Sequence, residues 1–536
     1  MNTIYLILAI LPLTYKILFW LYIVQLKEYR YDRLKDYIKT PQWKKAIFNF
    51  LTILEILFLL LIVAYAFFPF NEDILKFSLL TLLIIENTYI MFKFIGLRFF
   101  YPKFTKRMII LASLSFLTIF ALLAIIYLKP KFLYLSLIKL ILFSPIVVLC
   151  WNSLTDIFFK KAKEKIFKAA ENKMKQLNIY TVAITWSYWK SSTKEFLAKI
   201  LEDDFNVIKT PKNINTEIWV SNFILNQLES KLRNTNKKSI FIAEAWAYSK
   251  WEISRMWKIL QHKDGFLTGL WNQHISLFWS QQNLVDGKFE IWEQVLKNNW
   301  KLYLNNSNLK IDKENLKIWF PINQQVKTPK IYNDLKEKNQ IITYPNDFKI
   351  TNITENSTEF IWNNQKFKTN VVGVWLIENL IWAIKFALDK WVSIETIKEK
   401  IQEIDLPEHT MKIYEKTVTW PNNYKILYID DSYNLSTNSV INAVNTVKDL
   451  KWKKLLILDD ILELWKYANQ IHKNLWEYVA DKVDEVLFIG VNYKNAFIKW
   501  LKNKNFKWKI LDNFPHITEN YIIILEWRRT QKFLPR

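Results

Sequence analysis

Residues 180–197 read Y-T-V-A-I-T-W-S-Y-W-K-S-S-T-K-E-F-L, and this stretch decides how the chain folds. The apolar run at 180–184 is typical of a buried strand, and Lys190 begins a helical pattern. A strand that turns directly into a helix is the setting of a phosphate-binding loop. The backbone N–H groups of such a loop must close on phosphate oxygens, which requires glycine. The two positions that require it hold Trp186 and Trp189.

The composition of the chain explains this conflict. It contains 6 Gly and 25 Trp, and the two types together, 31 of 536 residues, come close to the share of about 7% that glycine alone normally takes. We hypothesise that a codon read as glycine in the source, with UGA the obvious candidate, is written here as tryptophan. The alternative is a truly tryptophan-rich chain, which would leave most helix ends and tight turns without their usual residue. Tryptophan also stands where turns or close packing normally take glycine at Trp246, Trp271, Trp452, Trp465 and Trp527.

The region 1–150 differs in kind from the rest, because it consists of apolar runs long enough to cross a bilayer. Each run is near the roughly 20 residues that a membrane-spanning helix needs. The first run lacks a short basic start and a small-residue cleavage site, which favours a retained helix over a cleaved signal peptide. We predict five transmembrane helices, at about 3–26, 47–70, 74–97, 108–128 and 132–150.

The charges between these runs predict the orientation of the block. The connections at 27–45 and 98–107 and the segment 160–163 are rich in Lys and Arg, whereas the connection at 71–73 is acidic. Positive residues stay on the cytoplasmic side, so the N-terminus lies outside and everything after Cys150 lies in the cytoplasm. We therefore predict a multi-pass protein of the inner (cytoplasmic) membrane, with its remaining domains in the cytoplasm.

The net charge bears on which molecules the chain binds, and the cysteine content bears on its cellular compartment. The formal net charge of +24 fits a face against anionic lipid and an acidic substrate. Nucleic acid is the competing explanation, but we find no recognition motif or clustered basic helix. The lone Cys150 excludes disulfides and thiolate metal sites and favours a reducing compartment. Glu55 and Glu86 lie inside predicted spans and are functional candidates by default, although Glu86 next to Asn87 is also consistent with a helix break.

After a charged helical connector at 151–176, short apolar strands alternate with helical patterns in two series. This alternation is typical of parallel sheets covered by helices, and a polar stretch at about 305–370 favours β-rich elaboration. We predict an α-helical membrane block followed by α/β domains, with a P-loop parallel-sheet central domain at 177–406 and a Rossmann-like C-terminal domain at 407–536. The predicted strands lie at 180–185, 206–209, 239–244, 264–268, 425–430, 454–458, 485–490 and 521–525.

With glycine at 186 and 189, the opening stretch contains T-G-S-Y-G-K-S-S, which resembles the ATP-binding loop of the Mur ligases, the ATP-dependent amide ligases of peptidoglycan synthesis. Many ATPases share such a loop, but the order of the later motifs extends the resemblance over about 177–532. The chain most resembles the MurF type, which joins D-alanyl-D-alanine to UDP-N-acetylmuramoyl-tripeptide. The resemblance implies that Lys190 neutralises the β- and γ-phosphates. The implied ATP-binding residues of the loop are Trp186, Ser187, Trp189, Lys190, Ser191 and Ser192.

The resemblance also implies a Mg²⁺ site, with Ser191, Glu244, His274 and Lys288 as its ligands. Glu244 lies in the apolar run F-I-A-E-A, and open α/β sheets bind ligands at such strand ends. Imidazole is an uncommon Mg²⁺ ligand, so His274 rests on the resemblance alone. Lys288 is similar to the lysine that is carbamylated in these ligases, although the residues alone indicate an ordinary surface lysine. Lys190, His274 and Lys288 are the implied catalytic residues.

Other segments resemble the parts of the family that bind substrate and nucleotide. The stretch T-P-K-N-I-N-T-E-I at 210–218 points to Asn215 and Thr216 as contacts of the muramoyl peptide, although a polar surface loop has the same pattern. Asn379 matches the asparagine near the adenine base. Lys412 stands where a basic residue, usually Arg, contacts the nucleotide, and lysine keeps the charge but loses the bidentate geometry.

The stretch I-D-D-S-Y-N at 429–434 is similar to a family motif that closes over ATP and presents the incoming amine. The residues that it implicates in substrate binding are Asp431, Tyr433 and Asn434. The mechanism implied is phosphorylation of a substrate carboxylate by ATP, followed by attack of the dipeptide amine on the acyl phosphate.

The chain departs from the family in one large respect. A membrane block stands where the family has the N-terminal domain that holds the UDP moiety. Either the ligase core acts on a lipid-linked or unusual muramoyl substrate, or the block tethers it near later membrane steps, and the sequence leaves open whether the substrate is UDP-linked or lipid-linked. We expect a monomer that contacts the membrane, a muramoyl peptide and D-Ala-D-Ala, and no nucleic acid. One alternative is a membrane-bound ligase of the same superfamily that builds poly-γ-glutamate or a similar polymer. The other is a non-catalytic membrane scaffold, if Trp186 and Trp189 are real.

Overall fold

In the computed structural model, the chain forms two compact units, 1–164 and 165–536. The described residues are 2–38, 47, 49–68, 71–96, 99–129, 132–185, 189–211, 214–232, 236–245, 252–268, 278, 280–290, 292–305, 309–311, 314–318, 324–343, 347–354, 357–419, 423–433, 435–461, 464, 467–491, 493–494, 497, 509–510 and 513–535.

The described residues of the N-terminal unit form helices joined by short connections, without a strand. Its core is aliphatic, with Leu13, Leu79 and Leu111 buried, while Phe77 and Leu117 project outward and are about 70% exposed. By length and composition, five of the helices could cross a membrane, which agrees with the number of apolar helices predicted. The helices are α1 (Asn2–Leu26), α2 (Tyr31–Ile38), α3 (Phe50–Phe67), α4 (Glu72–Ile95), α5 (Lys106–Leu128) and α6 (Leu133–Leu177).

Short polar residues start the helices of this unit. Asn49 caps α3 by accepting a hydrogen bond from the backbone N–H of Thr52 at 3.1 Å, and Thr105 caps α5 in the same way. Helix α6 contains both the predicted fifth span and the predicted connector, because no residue between 145 and 177 stops a helix.

The second unit begins with a six-stranded sheet of order β2-β3-β1-β4-β5-β9, in which all neighbouring strands are parallel. Strand β1, from the opening stretch of sequence, lies at its centre. Burial of both faces explains the continuous apolar runs in β1 and β3. The strands of this sheet are β1 (Tyr180–Thr185), β2 (Asn206–Lys209), β3 (Ser239–Ala245), β4 (Asp264–Leu267), β5 (Leu302–Leu304) and β9 (Ile341–Thr343).

Helices cover both faces of this sheet. The apolar sides of α7 and α13 pack on one face, where Phe196, Leu197 and Ile381 are buried. The helices of this region are α7 (Lys190–Leu201), α8 (Glu217–Phe223, continuing to Lys231), α9 (Glu252–Leu260), α10 (Gln281–Phe289), α11 (Trp292–Lys297), α12 (Lys330–Glu337), α13 (Val374–Asp389) and α14 (Ile394–Lys400). The predicted β-rich elaboration is confirmed as two antiparallel sheets, formed by β6 (Leu309–Ile311), β7 (Asn315–Ile318) and β8 (Gln324–Lys327), and by β10 (Lys349–Ile353), β11 (Thr358–Trp362) and β12 (Gln365–Thr369).

The C-terminal part of this unit forms a second six-stranded sheet of order β13-β14-β18-β15-β16-β17. The edge strand β13 is antiparallel to β14, and the remaining pairs are parallel. All eight predicted strands are confirmed, with ends within two residues. The elements are β13 (Lys412–Val418), β14 (Tyr424–Asp430), α15 (Thr437–Val447), β15 (Lys453–Leu458), α16 (Ala468–Val479), β16 (Glu485–Phe488), β17 (Lys509–Ile510), β18 (Tyr521–Leu525) and a 3₁₀ helix (Arg528–Phe533).

Strand register brings the chemistry of the first sheet to one edge. Ile184 pairs with Glu244, and Thr185 pairs with both Ala245 and Leu267, so β1, β3 and β4 end at the same level. Ligands of open α/β sheets bind at this carboxyl edge.

Candidate active site

Helix α7 starts at the carboxyl end of the central strand β1. Trp189, the residue before it, has φ 58° and ψ 13°, which is the left-handed conformation. Its carbonyl accepts hydrogen bonds from the backbone N–H and the Oγ1 of Thr193, both at 2.9 Å, which fixes the first turn. The start of the helix therefore directs its backbone N–H groups toward the edge of the sheet, where they suit an anion.

Glu244, near the end of β3, accepts hydrogen bonds from α7 and from the segment that precedes α8. Its Oε2 accepts from the Ser191 hydroxyl at 2.8 Å and lies 3.5 Å from the Lys194 ammonium. Its Oε1 accepts from the Asn215 amide at 3.3 Å. The Oγ1 of Thr210 accepts from the backbone N–H of Glu244 at 3.1 Å. The carboxylate is buried and held in one position, so three of the predicted residues (Ser191, Asn215 and Glu244) lie together.

Two lysines of this region, Lys190 and Lys288, are buried. Burial lowers the pKa of Lys190 to about 8, and the charge of Glu244 opposes that shift. Burial, together with the neighbouring charge of Lys190, lowers the pKa of Lys288 to about 7. Lys288 lies on α10 and is 3% exposed, so the expectation of an ordinary surface lysine was wrong. The sequence could not reveal this, because burial of α10 depends on the order of distant strands.

The pair of Ser191 and Glu244 can hold a divalent cation, because a hydroxyl and a carboxylate are the hard oxygen donors that Mg²⁺ prefers. The described residues contain no cluster of three or more His, Cys, Asp or Glu side chains placed to hold a metal. A cation bound here would therefore rely on oxygens of a ligand as well, which is usual for Mg²⁺ bound with phosphates.

Asn379, on α13, has a buried side-chain amide. It is fully buried, and neither its oxygen nor its nitrogen has a hydrogen-bond partner among the described residues. An amide left unpaired in a core costs about 1–3 kcal/mol unless a ligand or water satisfies it. Its paired donor and acceptor match the edge of a nucleobase.

The carboxyl edge of the second sheet carries the other predicted group. Asp431 is fully buried and accepts a hydrogen bond from the backbone N–H of Met411 at 3.3 Å. Burial raises the pKa of Tyr433, and the charge of Glu244 adds to this shift. Lys412 points elsewhere and lies 3.4 Å from the Asp405 carboxylate.

The remaining predicted residues are placed as follows. Ser192 is buried in the first turn of α7, and Thr216 precedes α8 as its N-cap without a side-chain cap bond. Sequence reasoning missed Lys194 and Thr210, which hold Glu244. Lys194 was visible as the residue one helical turn after Lys190. The predictions for Trp186, Ser187, His274 and Asn434 lie outside the described residues.

Three described tryptophans have backbone conformations that suit glycine. Trp189 and Trp391 have φ of 58° and 68°, in the left-handed region, and Trp391 follows the end of α13 at the position where helices usually place glycine. Trp527 has φ 96° and ψ 146°, a region that is essentially restricted to glycine. The other described non-glycine residues with positive φ are Glu28, Tyr29, Asn178, Gln261, Asn299, Asn339, Asn363, Asn364, His409 and Met411.

Comparison with known proteins gives consistent matches. The family described as Mur ligase middle domain matches residues 184–387. A UDP-N-acetylmuramoyl-tripeptide–D-alanyl-D-alanine ligase from Buchnera aphidicola subsp. Baizongia pistaciae is 27% identical over 359 residues, which cover 66% of this chain and 73% of the relative. The ligase of the same name from Haemophilus influenzae is 23% identical, with 61% of this chain and 67% of the relative covered.

Solved structures give the same fold. MurF from Acinetobacter baumannii superposes with a TM-score of 0.54 at 18% identity, covering 69% of this chain and 79% of that protein. MurF from Thermotoga maritima, solved in complex with ADP, superposes with a TM-score of 0.52 at 18% identity, covering 69% of this chain and 81% of that protein.

Proposed function

We propose that the chain is a member of the Mur ligase family of ATP-dependent ligases that form carbon–nitrogen bonds, and that it adds D-Ala-D-Ala to a UDP-MurNAc-tripeptide-like acceptor. One observation carries this proposal. Lys190, Ser191, Glu244 and Lys288 converge at the carboxyl edge of a parallel sheet, in a chain whose curated relatives are MurF ligases.

The side chains support an acyl-phosphate reaction. The γ-phosphate of ATP is transferred to the terminal carboxylate of the muramoyl peptide, and the dipeptide amine then displaces inorganic phosphate. Lys190 and the backbone N–H groups of α7 lie where they can stabilise negative charge on the transferring group. Because Lys190 is buried and its pKa is about 8, binding of a polyphosphate would draw a proton onto it.

Mg²⁺ would neutralise phosphate charge and orient the transferring group when bound. Ser191 and Glu244 are its proposed ligands, since they are adjacent hard oxygen donors. We propose Lys288 as a further ligand after carbamylation, and His274 by resemblance. Carbamylation needs an unprotonated amine that attacks CO₂, and the lowered pKa of Lys288 provides one near neutral pH.

Helix α13 and the carboxyl edge of the second sheet provide the remaining proposed contacts. Asn379 would satisfy its unpaired amide by binding the adenine base, while Asp431, Tyr433 and Asn434 would receive the incoming amine. Lys412 could contact the nucleotide only after leaving Asp405. The central and C-terminal domains are proposed at 177–406 and 407–536. In the second sheet, β14, β15 and β16 are joined through α15 and α16, and every neighbouring pair except β13–β14 is parallel, which supports a Rossmann-like C-terminal domain.

The tryptophans bear directly on this function. We propose that Trp189, Trp391 and Trp527 stand in place of glycine, together with Trp186, and that the source reads UGA as glycine. Their conformations support this, because glycine adopts positive φ without strain and tryptophan does not. Peptide mass spectrometry across 177–198 of natively translated protein should find glycine at 186 and 189. Tryptophan there would remove the phosphate loop, and the scaffold alternative would then stand.

The apolar helices of the N-terminal unit support a multi-pass location in the cytoplasmic membrane. We propose a monomer anchored there, with its ligase domains in the cytoplasm. This location also fits a ligase that builds a poly-γ-glutamate-type polymer at the membrane, which is the second candidate.

The test is a ligation assay on the full chain, made with glycine at 186, 189, 391 and 527. We expect ATP-dependent joining of D-Ala-D-Ala to UDP-MurNAc-tripeptide, detected as the product mass together with phosphate release. Lys190→Met should abolish it, and Lys297→Met, an exposed lysine on α11, should not. ATP turnover that depends on glutamate instead of D-Ala-D-Ala would favour the polymer ligase and refute our assignment.

A further inference from the structure

Three ionisable side chains meet inside the N-terminal unit, on three different helices. Lys16 of α1 lies 2.5 Å from the Glu55 carboxylate of α3, and its ammonium is also 3.4 Å from the Ile141 carbonyl of α6. Glu86 of α4 interacts with both Lys16 and Glu55. Glu55 and Glu86 are completely buried.

The cluster lies well inside the helices. At about 1.5 Å per residue, Glu55 is roughly 8 Å from the start of α3, Glu86 roughly 14 Å from the end of α4, and Lys16 roughly 15 Å from the end of α1. The end of α1 and the start of α3 flank the basic connection at 27–45, and the end of α4 precedes the basic connection at 98–107. Water at the helix ends therefore lies at least one helical turn away from each charge.

The charges of the cluster do not balance. One ammonium and two carboxylates leave one negative charge, and an isolated charge in apolar surroundings costs several kcal/mol or more. In the part of the chain that the structure describes, α4 packs mainly against α1 and α3, α6 contacts it through the Tyr134 hydroxyl at Glu72, and the charged groups that act on Glu86 are Lys16 and Glu55. Lys93, also on α4, lies against the Tyr15 hydroxyl at 3.0 Å. Among the described residues, no further cation neutralises the pair.

Glu86 also lacks any hydrogen-bond donor. Neither of its oxygens has a hydrogen-bond partner among the described residues, and the same holds for Oε1 of Glu55. The adjacent Asn87 amide donates instead to the carbonyls of Leu8 and Leu83. Two ionised carboxylates cannot bond to each other, but a single proton on either one provides the missing donor and cancels the excess charge.

We propose that Glu55 and Glu86 form a binding site for one exchangeable proton inside the membrane block, with Lys16 as its fixed counter-ion. A metal cation fits less well, because the Lys16 ammonium already occupies the Glu55 carboxylate. The proposal is independent of the ligase reaction.

A hydrophobic carbodiimide tests this site on the full chain in lipid vesicles. Dicyclohexylcarbodiimide forms a stable acylurea with protonated carboxyl groups in apolar surroundings. We expect peptide mass spectrometry to find the adduct on Glu55 or Glu86 at neutral pH, and labelling to fall as the pH rises. Glu86→Gln should lose most of the adduct from both helices, and Glu72→Gln, at the exposed start of α4, should leave it unchanged.

Infrared spectroscopy gives a second readout, from the carbonyl stretch of a protonated carboxylic acid. Glu86→Gln should remove the signal of one such group. Lys16→Met should instead double that signal, because two carboxylates without a cation would take up two protons. An unchanged signal in both variants, or labelling confined to exposed carboxylates, would overturn the proposal.

Discussion

At the scale of single residues, the two buried lysines make the stability of the fold depend on pH. In unfolded chains lysine titrates near 10.5, whereas in the folded protein the pKa of Lys288 is about 7 and that of Lys190 about 8. Between these values the unfolded state binds more protons than the folded state, so the free energy of unfolding rises with pH. This stability is absent below about pH 7 and is gained as the pH rises toward 10.

We expect Lys288→Met to flatten this dependence. Methionine keeps the apolar length of the side chain but cannot be protonated, so the variant should lose the part of the slope that begins near pH 7. Urea midpoints of the full chain between pH 6 and 10 measure this effect. Lys297→Met removes an exposed lysine and should keep the wild-type slope. If Lys288→Met kept the wild-type rise of the free energy of unfolding with pH, the pKa of Lys288 would not be lowered in the folded protein.

Carbamylation of Lys288 makes a separate prediction. Removing CO₂ and bicarbonate should lower ligase activity, and adding bicarbonate should restore it, because only the carbamate turns this lysine into an anion that can bind metal. Lys288→Ala should be inactive and indifferent to bicarbonate. Activity that does not respond to CO₂ in the wild-type chain would mean that Lys288 acts as an amine.

Glu244 tests the proposed metal position. Glu244→Gln keeps a hydrogen-bond acceptor for Ser191 but removes the negative charge, so we expect kcat to fall by about 10²–10³ with little change in folding. The exposed Glu229, which pairs with Lys173 on the surface, provides the matched Glu229→Gln control. Raising the Mg²⁺ concentration should partly rescue Glu244→Gln and leave the control unaffected.

At the scale of elements, we expect that replacing a tryptophan of positive φ by glycine raises the stability of the fold. A left-handed conformation costs an ordinary residue roughly 1–2 kcal/mol, so Trp391→Gly should stabilise the fold by about 1 kcal/mol. Trp391 is 94% exposed, so the change removes little packing. Trp452 is a described residue without positive φ, and Trp452→Gly should bring no such gain. Urea denaturation compares the two variants, and equal effects would contradict the strain argument.

The strands could be predicted from sequence because both faces of each sheet are buried. Continuous apolar runs mark β1 and β18 within one residue of their ends. The order of the strands could not be predicted in this way. The last strand, β18, inserts between β14 and β15, and this long-range pairing places Asp431 beside the end of β18.

The same limit applies to the candidate site. Residues adjacent in sequence, such as Lys190 and Ser191, were identified by the loop pattern. The support of Glu244 by Thr210, Lys194 and Asn215 depends on β3 lying between β1 and β2, which no local pattern contains. Resemblance to a family identified the positions in the sequence, and the structure adds the burial that shifts the pKa of each lysine.

At the scale of the whole molecule, the orientation of the proposed membrane block decides whether the proposed ligase domains can reach cytoplasmic ATP. The basic connections predict that residue 71 lies outside and residue 161 inside. In a Cys150→Ser background, Asn71→Cys in intact cells should react with an impermeant maleimide. Lys161→Cys should react only after the membrane is permeabilised. The reverse pattern would place the second unit outside the cytoplasm and would exclude ATP-dependent ligation there, because ATP is supplied on the cytoplasmic side.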